Sequence, residues 1–152
     1  MQKIDNIIPY FKKELCPFFE EREVISWTYL IIEHFLNYNR SDCILNADEK
    51  LSDDFSNKLL EIIERLKKNI PLQYILNEAY FYGLKLHVNK HTLIPRQETE
   101  GLIKWILKDR FTSAVDIGTG SGCIAIALAK NSNAKINAID ISQQAIEIAR
   151  LN

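Results

Sequence analysis

Apolar residues recur at helical spacing through the first seventy positions of the chain, and then the period changes. Asn6 is placed to cap a first helix, with Pro9 in the opening turn, where its missing N–H is tolerated. Ile8, Phe11 and Leu15 then share one face. A longer helix is predicted over 20–37, carrying Val24, Trp27, Leu30, Ile31, His34 and Phe35 at helical intervals. His34 has aromatic and aliphatic neighbours and no second His or Cys nearby, so it reads as structural. A third helix starts at Ser52, with Asp53 and Asp54 in its first turn and Lys67 and Lys68 near its end, matching the helix dipole at both ends. Phe55, Leu59, Ile62, Ile63 and Leu66 form its apolar stripe, which reads as a small helical core.

Pro71 closes this region. Ala79 to Tyr82 and Leu84 to Val88 flank Gly83, and the second run alternates apolar with polar residues, predicting a hairpin. No basic residues interleave with Tyr80, Phe81 and Tyr82, so they are expected to pack between domains rather than stack on bases. Pro95 stops the extended run, and a helix is predicted over 99–108 through Leu102, Ile103, Ile106 and Leu107. A strand over 114–117, a helix over 123–130, a second strand over 135–139 and a helix over 142–151 follow.

Between the first of these strands and its helix lie Gly118, Thr119, Gly120, Ser121 and Gly122. Glycine lets the chain turn sharply and lets a ligand approach the backbone, while free N–H groups at the start of the next helix point toward it. Asp140 ends the following strand, where a carboxylate suits the two hydroxyls of a ribose. The loop reads G-x-G-x-G, so Cys123 stands where a dinucleotide fingerprint wants its third glycine. There is no Gly-Lys-Ser/Thr ending, which argues against a phosphate-binding P-loop. An adenosine-type ligand without a phosphate chain fits better.

The run Asp116 to Gly122, the later Asp140, and Leu93-Ile94-Pro95-Arg96-Gln97-Glu98-Thr99-Glu100 together resemble the HemK-type methyltransferases, which methylate the glutamine side-chain nitrogen of peptide chain release factors. Pro71 to Ile75 and Phe81-Tyr82-Gly83 are similar to that family's segment between its helical and catalytic domains. The glycine loop marks an adenosylmethionine enzyme in general, and the I-P-R-x-E-T-E segment is far more specific. Gln97 departs from the pattern by replacing a second proline, which loosens the backbone without removing a reactive group.

The resemblance implies an α/β protein with three parts: a helical substrate-recognition domain over 1–75, a β-hairpin linker over 76–95, and over 96–152 the start of a Rossmann-like, class I methyltransferase domain. It also implies S-adenosyl-L-methionine as cofactor, with Gly118 to Gly122 at its methionine end, Asp140 at the ribose, and Arg96, Glu98 and Thr99 bordering the pocket. Asp116 either faces the methionine ammonium or orients the turn. The family's Asn-Pro-Pro-Tyr motif does not occur in the sequence, so no catalytic residue is assigned and the chain is expected to be an N-terminal fragment, inactive alone. Two other readings stay open: a glutamine methyltransferase acting on a ribosomal protein, and a non-catalytic helical interaction module.

Composition adds exclusions. At 47% hydrophobic residues and a formal net charge of −1, the chain of 152 residues offers no electrostatic case for nucleic acid or a membrane surface. Cys16, Cys43 and Cys123 form neither a C-x-x-C site nor a disulfide framework, which favours a reducing cytosol. The residues from Met1 to Asp5 lack the basic start and apolar core of a signal peptide, and no apolar run approaches the ~20 residues that span a bilayer. A cytoplasmic monomer with no metal, whose partner is a release factor, is the resulting expectation.

Overall fold

A computed structural model describes residues 3–152, so Met1 and Gln2, the start of the stretch read as lacking a leader, lie outside the described residues. The chain divides into two compact units, Met1–Leu76 and Asn77–Asn152.

The first unit is helical: a 3-10 turn at Ile4–Asn6, then α1 (Ile7–Leu15), α2 (Glu21–Leu36), α3 (Arg40–Leu45), α4 (Asp53–Lys67) and α5 (Leu72–Leu76). α4 buries Phe55, Leu59, Ile62, Ile63 and Leu66, the stripe its spacing predicts, and Ser52 Oγ accepts the Phe55 N–H at 3.2 Å to cap it. Two faces turn differently from expectation. α1 buries Ile7 with Phe11 and Leu15, leaving Ile8 half-buried, because a strict four-residue step runs along one line of the helix. α2 buries Val24, Thr28, Ile31 and Ile32, so Trp27 and Leu30 pack at the core margin and Phe35 is exposed. Thr28 escapes a polarity penalty because its hydroxyl donates to the Val24 carbonyl at 2.8 Å.

Two short helices were not expected. Asn39 Oδ1 accepts the N–H groups of Ser41 and Asp42 at 2.7 and 3.0 Å, and Asp42 Oδ2 accepts the Asn39 N–H at 2.9 Å, a reciprocal capping box that starts α3. Pro71 does close α4, but its carbonyl also accepts the N–H groups of Tyr74 and Ile75 and so opens α5. His34 lies edge-on to Phe35, with ring centroids 4.7 Å apart.

In the second unit, β1 (Glu78–Phe81) and β2 (Leu84–His87) pair antiparallel, Phe81 opposite Leu84. Tyr82 and Gly83 turn the chain with φ of +50° and +70°, the left-handed pair that matches strand twist in a tight hairpin. Phe81 and Leu86 from this hairpin join Ile103, Ala127 and Leu128 in the unit's own core, while Tyr80 is exposed. Then come α6 (Glu98–Ile106), β3 (Ser113–Ile117), α7 (Cys123–Asn131), β4 (Lys135–Ile139) and α8 (Gln143–Leu151). β3 and β4 are parallel, with Ser113 opposite Lys135 and Ile117 opposite Ile139. This is the helical-then-α/β architecture anticipated, with the first strand–helix–strand step of a parallel sheet in place.

Candidate functional site

The glycine loop sits at the carboxyl ends of β3 and β4, where open α/β sheets hold their ligands. The N–H groups of Gly118 and Thr119 both donate to the Ile139 carbonyl, at 2.8 and 3.0 Å, which seats the loop on the end of β4. Gly118, Gly120 and Gly122 have φ of +76°, +56° and +80°, a region L side chains rarely adopt. Their reasons differ beyond that. A Cβ on Gly122 would lie 3.0 Å from Ile126 Cδ1 and 3.2 Å from Ala149 Cβ, so this glycine lets α7 and α8 approach each other. A Cβ on Gly118 or Gly120 would meet nothing within 4 Å, so these two open on free space that a ligand can occupy.

Asp140 is tied to that loop. Its Oδ2 accepts the Gly120 N–H and its Oδ1 the Ser142 N–H, each at 2.9 Å. Hydrogen bonds from the backbone N–H groups of Ser142 and Gly120 hold its carboxyl below the usual carboxylate range, so it is ionised at neutral pH. Each oxygen keeps a further lone pair for a ligand hydroxyl. Asp116 Oδ2 accepts the Thr119 hydroxyl at 2.7 Å, a bond that braces the turn from within. Thr119 and Ser121 are both buried. Ser121 Oγ is shut off from solvent without a partner of hydrogen-bond geometry, the Cys123 thiol beside it being a weak contact. A bound polar group would relieve that cost. Burial pushes the Cys123 thiol up, so it stays a neutral, poorly nucleophilic group despite its place at the start of α7.

Arg96 and Thr99 are less closely drawn in. Arg96 is exposed and its carbonyl accepts the Thr99 N–H at 3.1 Å, while Thr99 is half-buried in the first turn of α6. Among the described residues no hydrogen bond joins either side chain to the loop. Two residues to which the sequence reading gave no structural role, Glu100 of the motif and Asn152, hold the surroundings together. Glu100 Oε1 accepts the Tyr82 N–H at 2.9 Å and so ties α6 to the hairpin turn. Asn152, at the C-terminal end of α8, bonds both β2 and the glycine loop. Asparagine is common where helices end, but no spacing rule reveals what its side chain reaches. Among the described residues there is no cluster of three metal-binding side chains and no helix long and apolar enough to cross a membrane.

Residues 20–76 match the family model of the PrmC N-terminal domain, and residues 98–152 match that of the ribosomal protein L11 methyltransferase, PrmA. The release factor glutamine methyltransferase of Flavobacterium psychrophilum is 43% identical over 98% of this chain and 55% of its own length. That of Bacteroides thetaiotaomicron is 40% identical over 98% of the chain and 55% of the relative, and that of Streptococcus pneumoniae 38% over 99% and 54%. The chain thus spans about half the length of the curated relatives it matches. With its helical part matched by the PrmC N-terminal domain and nearly its whole length aligned to these relatives, the chain is similar to about half of a release factor glutamine methyltransferase.

Proposed function

We propose that the chain forms the cofactor-binding part and the partner-recognising part of an S-adenosylmethionine-dependent methyltransferase whose substrate is a glutamine side chain of a peptide chain release factor. The observation that carries the cofactor half is the loop geometry: two left-handed glycines open on free space beside a carboxylate fastened to the Gly120 N–H. Bound there, the cofactor supplies an electrophilic methyl group on a sulfonium. Gly118 and Gly120 admit it close to the backbone, and Asp140 accepts hydrogen bonds from its ribose hydroxyls. The N–H groups at the start of α7, with the positive end of its dipole, favour the carboxylate of the methionine part. Asp116, Arg96 and Thr99 are proposed at the margin, Asp116 through its hold on Thr119.

An amide nitrogen is a poor nucleophile because its lone pair is delocalised into the carbonyl. Methyl transfer to it therefore depends on groups that hold the nitrogen in line, a matter of proximity and orientation. The assembled loop and carboxylates hold a donor and provide no such alignment. The chain alone is accordingly proposed to bind cofactor without turning over.

The helical unit is the proposed recognition part, supported by the match of residues 20–76 to the PrmC N-terminal domain. The PrmA match over 98–152 covers only the cofactor half, so it bears on the donor and not on the acceptor. A monomer acting in the cytoplasm completes the proposal. Calorimetric titration with adenosylmethionine and with NAD tests the cofactor. Micromolar adenosylmethionine binding without NAD binding is the expected result, and NAD binding or no binding would overturn it. Methylation of a release factor by a longer protein carrying this chain, lost in Asp140→Ala, tests the reaction.

A further inference from the structure

Asn152 uses all the hydrogen-bonding capacity of its side-chain N–H groups and one acceptor site, and it does so on two elements at once. Its Oδ1 accepts the His87 N–H at 2.6 Å, and its Nδ2 donates to the His87 carbonyl at 3.0 Å and to the Ser121 carbonyl at 2.8 Å. The primary amide thus completes the outer edge of β2 as another strand would, while its second N–H grips the middle of the glycine loop. Rotating the amide by half a turn would set N–H against N–H and oxygen against two carbonyls, so the pattern admits one orientation. Aspartate would keep the acceptor and lose both donors. Alanine would lose all three bonds.

We propose that Asn152 is a positioning residue that clamps the glycine loop, through the Ser121 carbonyl, to the β2 edge, and thereby presets the loop for the cofactor. The inference deepens the reading above and rests on it. Gly120 and Gly122 have the free dihedral range that glycine brings, so each restraint on a loop containing three of them narrows its shapes, and within the loop the Gly122 N–H already donates to the Thr119 carbonyl at 2.8 Å. The Asp140 and Ile139 contacts restrain its base and Gly120. Ser121 has its hydroxyl without a hydrogen-bond partner and is held by its carbonyl to Asn152. Pre-ordering of this kind raises affinity by removing an ordering cost from the binding step.

The test uses the 152-residue chain and its Asn152→Ala and Asn152→Asp variants, read by amide hydrogen exchange and by calorimetry with adenosylmethionine. In Asn152→Ala, exchange at His87, Gly120 and Gly122 should accelerate about tenfold or more while Ile103 and Ala127, in the core of the same unit, keep their protection. In Asn152→Asp the loop amides should also accelerate, because a carboxylate oxygen then faces the His87 and Ser121 carbonyls in place of a donor. Both variants should bind adenosylmethionine about tenfold more weakly. Loop protection equal to that of the unsubstituted chain, or affinity unchanged despite a loosened loop, would overturn the clamp. If the unsubstituted chain binds no adenosylmethionine, the cofactor reading fails instead, and exchange at Gly120 and Gly122 in the two variants still decides whether Asn152 restrains the loop. Loss of protection at Ile103 and Ala127 in both variants would also overturn it, marking Asn152 as a residue of the fold at large.

Discussion

The two units bury their apolar residues in different ways. In the helical unit the apolar stripes of α1, α2 and α4 converge: Phe11, Leu15, Val24, Ile31, Ile32 and Leu59 are completely shielded. In the second unit one face of the parallel pair packs toward α7 through Ile136, while the other leaves Val115, Ile117 and Ile139 at 56, 79 and 52% exposure. Parallel sheets as a rule have both faces covered. The contrast teaches that a helix can satisfy its backbone within itself and needs only a partner stripe, whereas a strand depends on neighbours for its edges and both faces. The glycine loop and Asp140 lie on the more open unit, with their restraint coming from individual hydrogen bonds.

The largest expected effect breaks the closed side. Leu59→Ala should cost the helical unit about 2–5 kcal/mol in denaturant unfolding, through lost burial and a cavity, and leave cofactor affinity unchanged. An equal loss of affinity would show that the two units do not stand apart in this way. On the open side, Gly122→Val and Gly120→Val should separate. Both carry about 1–3 kcal/mol of strain from the positive φ, but only Gly122→Val also drives a side chain into Ile126 and Ala149. Thermal melts should therefore fall further for Gly122→Val, whereas Gly120→Val should abolish adenosylmethionine binding in a chain that remains folded.

Acid should act on the loop through Asp140. Its carboxyl is held low in the folded chain, so its contribution is fully present above the ordinary aspartate value and is lost as pH falls through the lowered one. Protection of the Gly120 amide should therefore stay level from neutral pH down to about pH 4 and fall only below that. A decline centred near pH 6 would point to another group. The smallest effects sharpen the contrast at the surface. Ser52→Ala, which removes the α4 cap, should cost about 1 kcal/mol, whereas Ile117→Lys should change stability by less than about 0.5 kcal/mol and reduce self-association measured by light scattering.

Legibility followed the length of each signal. The α4 stripe spans fifteen residues, long enough for a 3.6-residue period to declare its face, and its cap and its buried set were both readable. α3 and α5, at six and five residues, carry too few apolar positions to show a period. The face of α2 was misjudged because Thr28 is polar by type yet buried in fact, its hydroxyl being satisfied by its own helix.

The sequence by itself determined the strand–loop–helix order, the three glycines, the acid at Asp140 and the family resemblance, since each depends on residue type at a fixed local spacing. Tertiary structure decided which glycine serves packing and which opens on free space, because that depends on Ile126 and Ala149, which reach Gly122 only once α7 and α8 are packed. It also decided that Glu100 holds the hairpin turn and Asn152 the loop, pairs separated by 18 and 31 residues. A hydrogen bond is directional and reaches about 3 Å, so partners that distant in sequence are chosen by the path of the backbone between them.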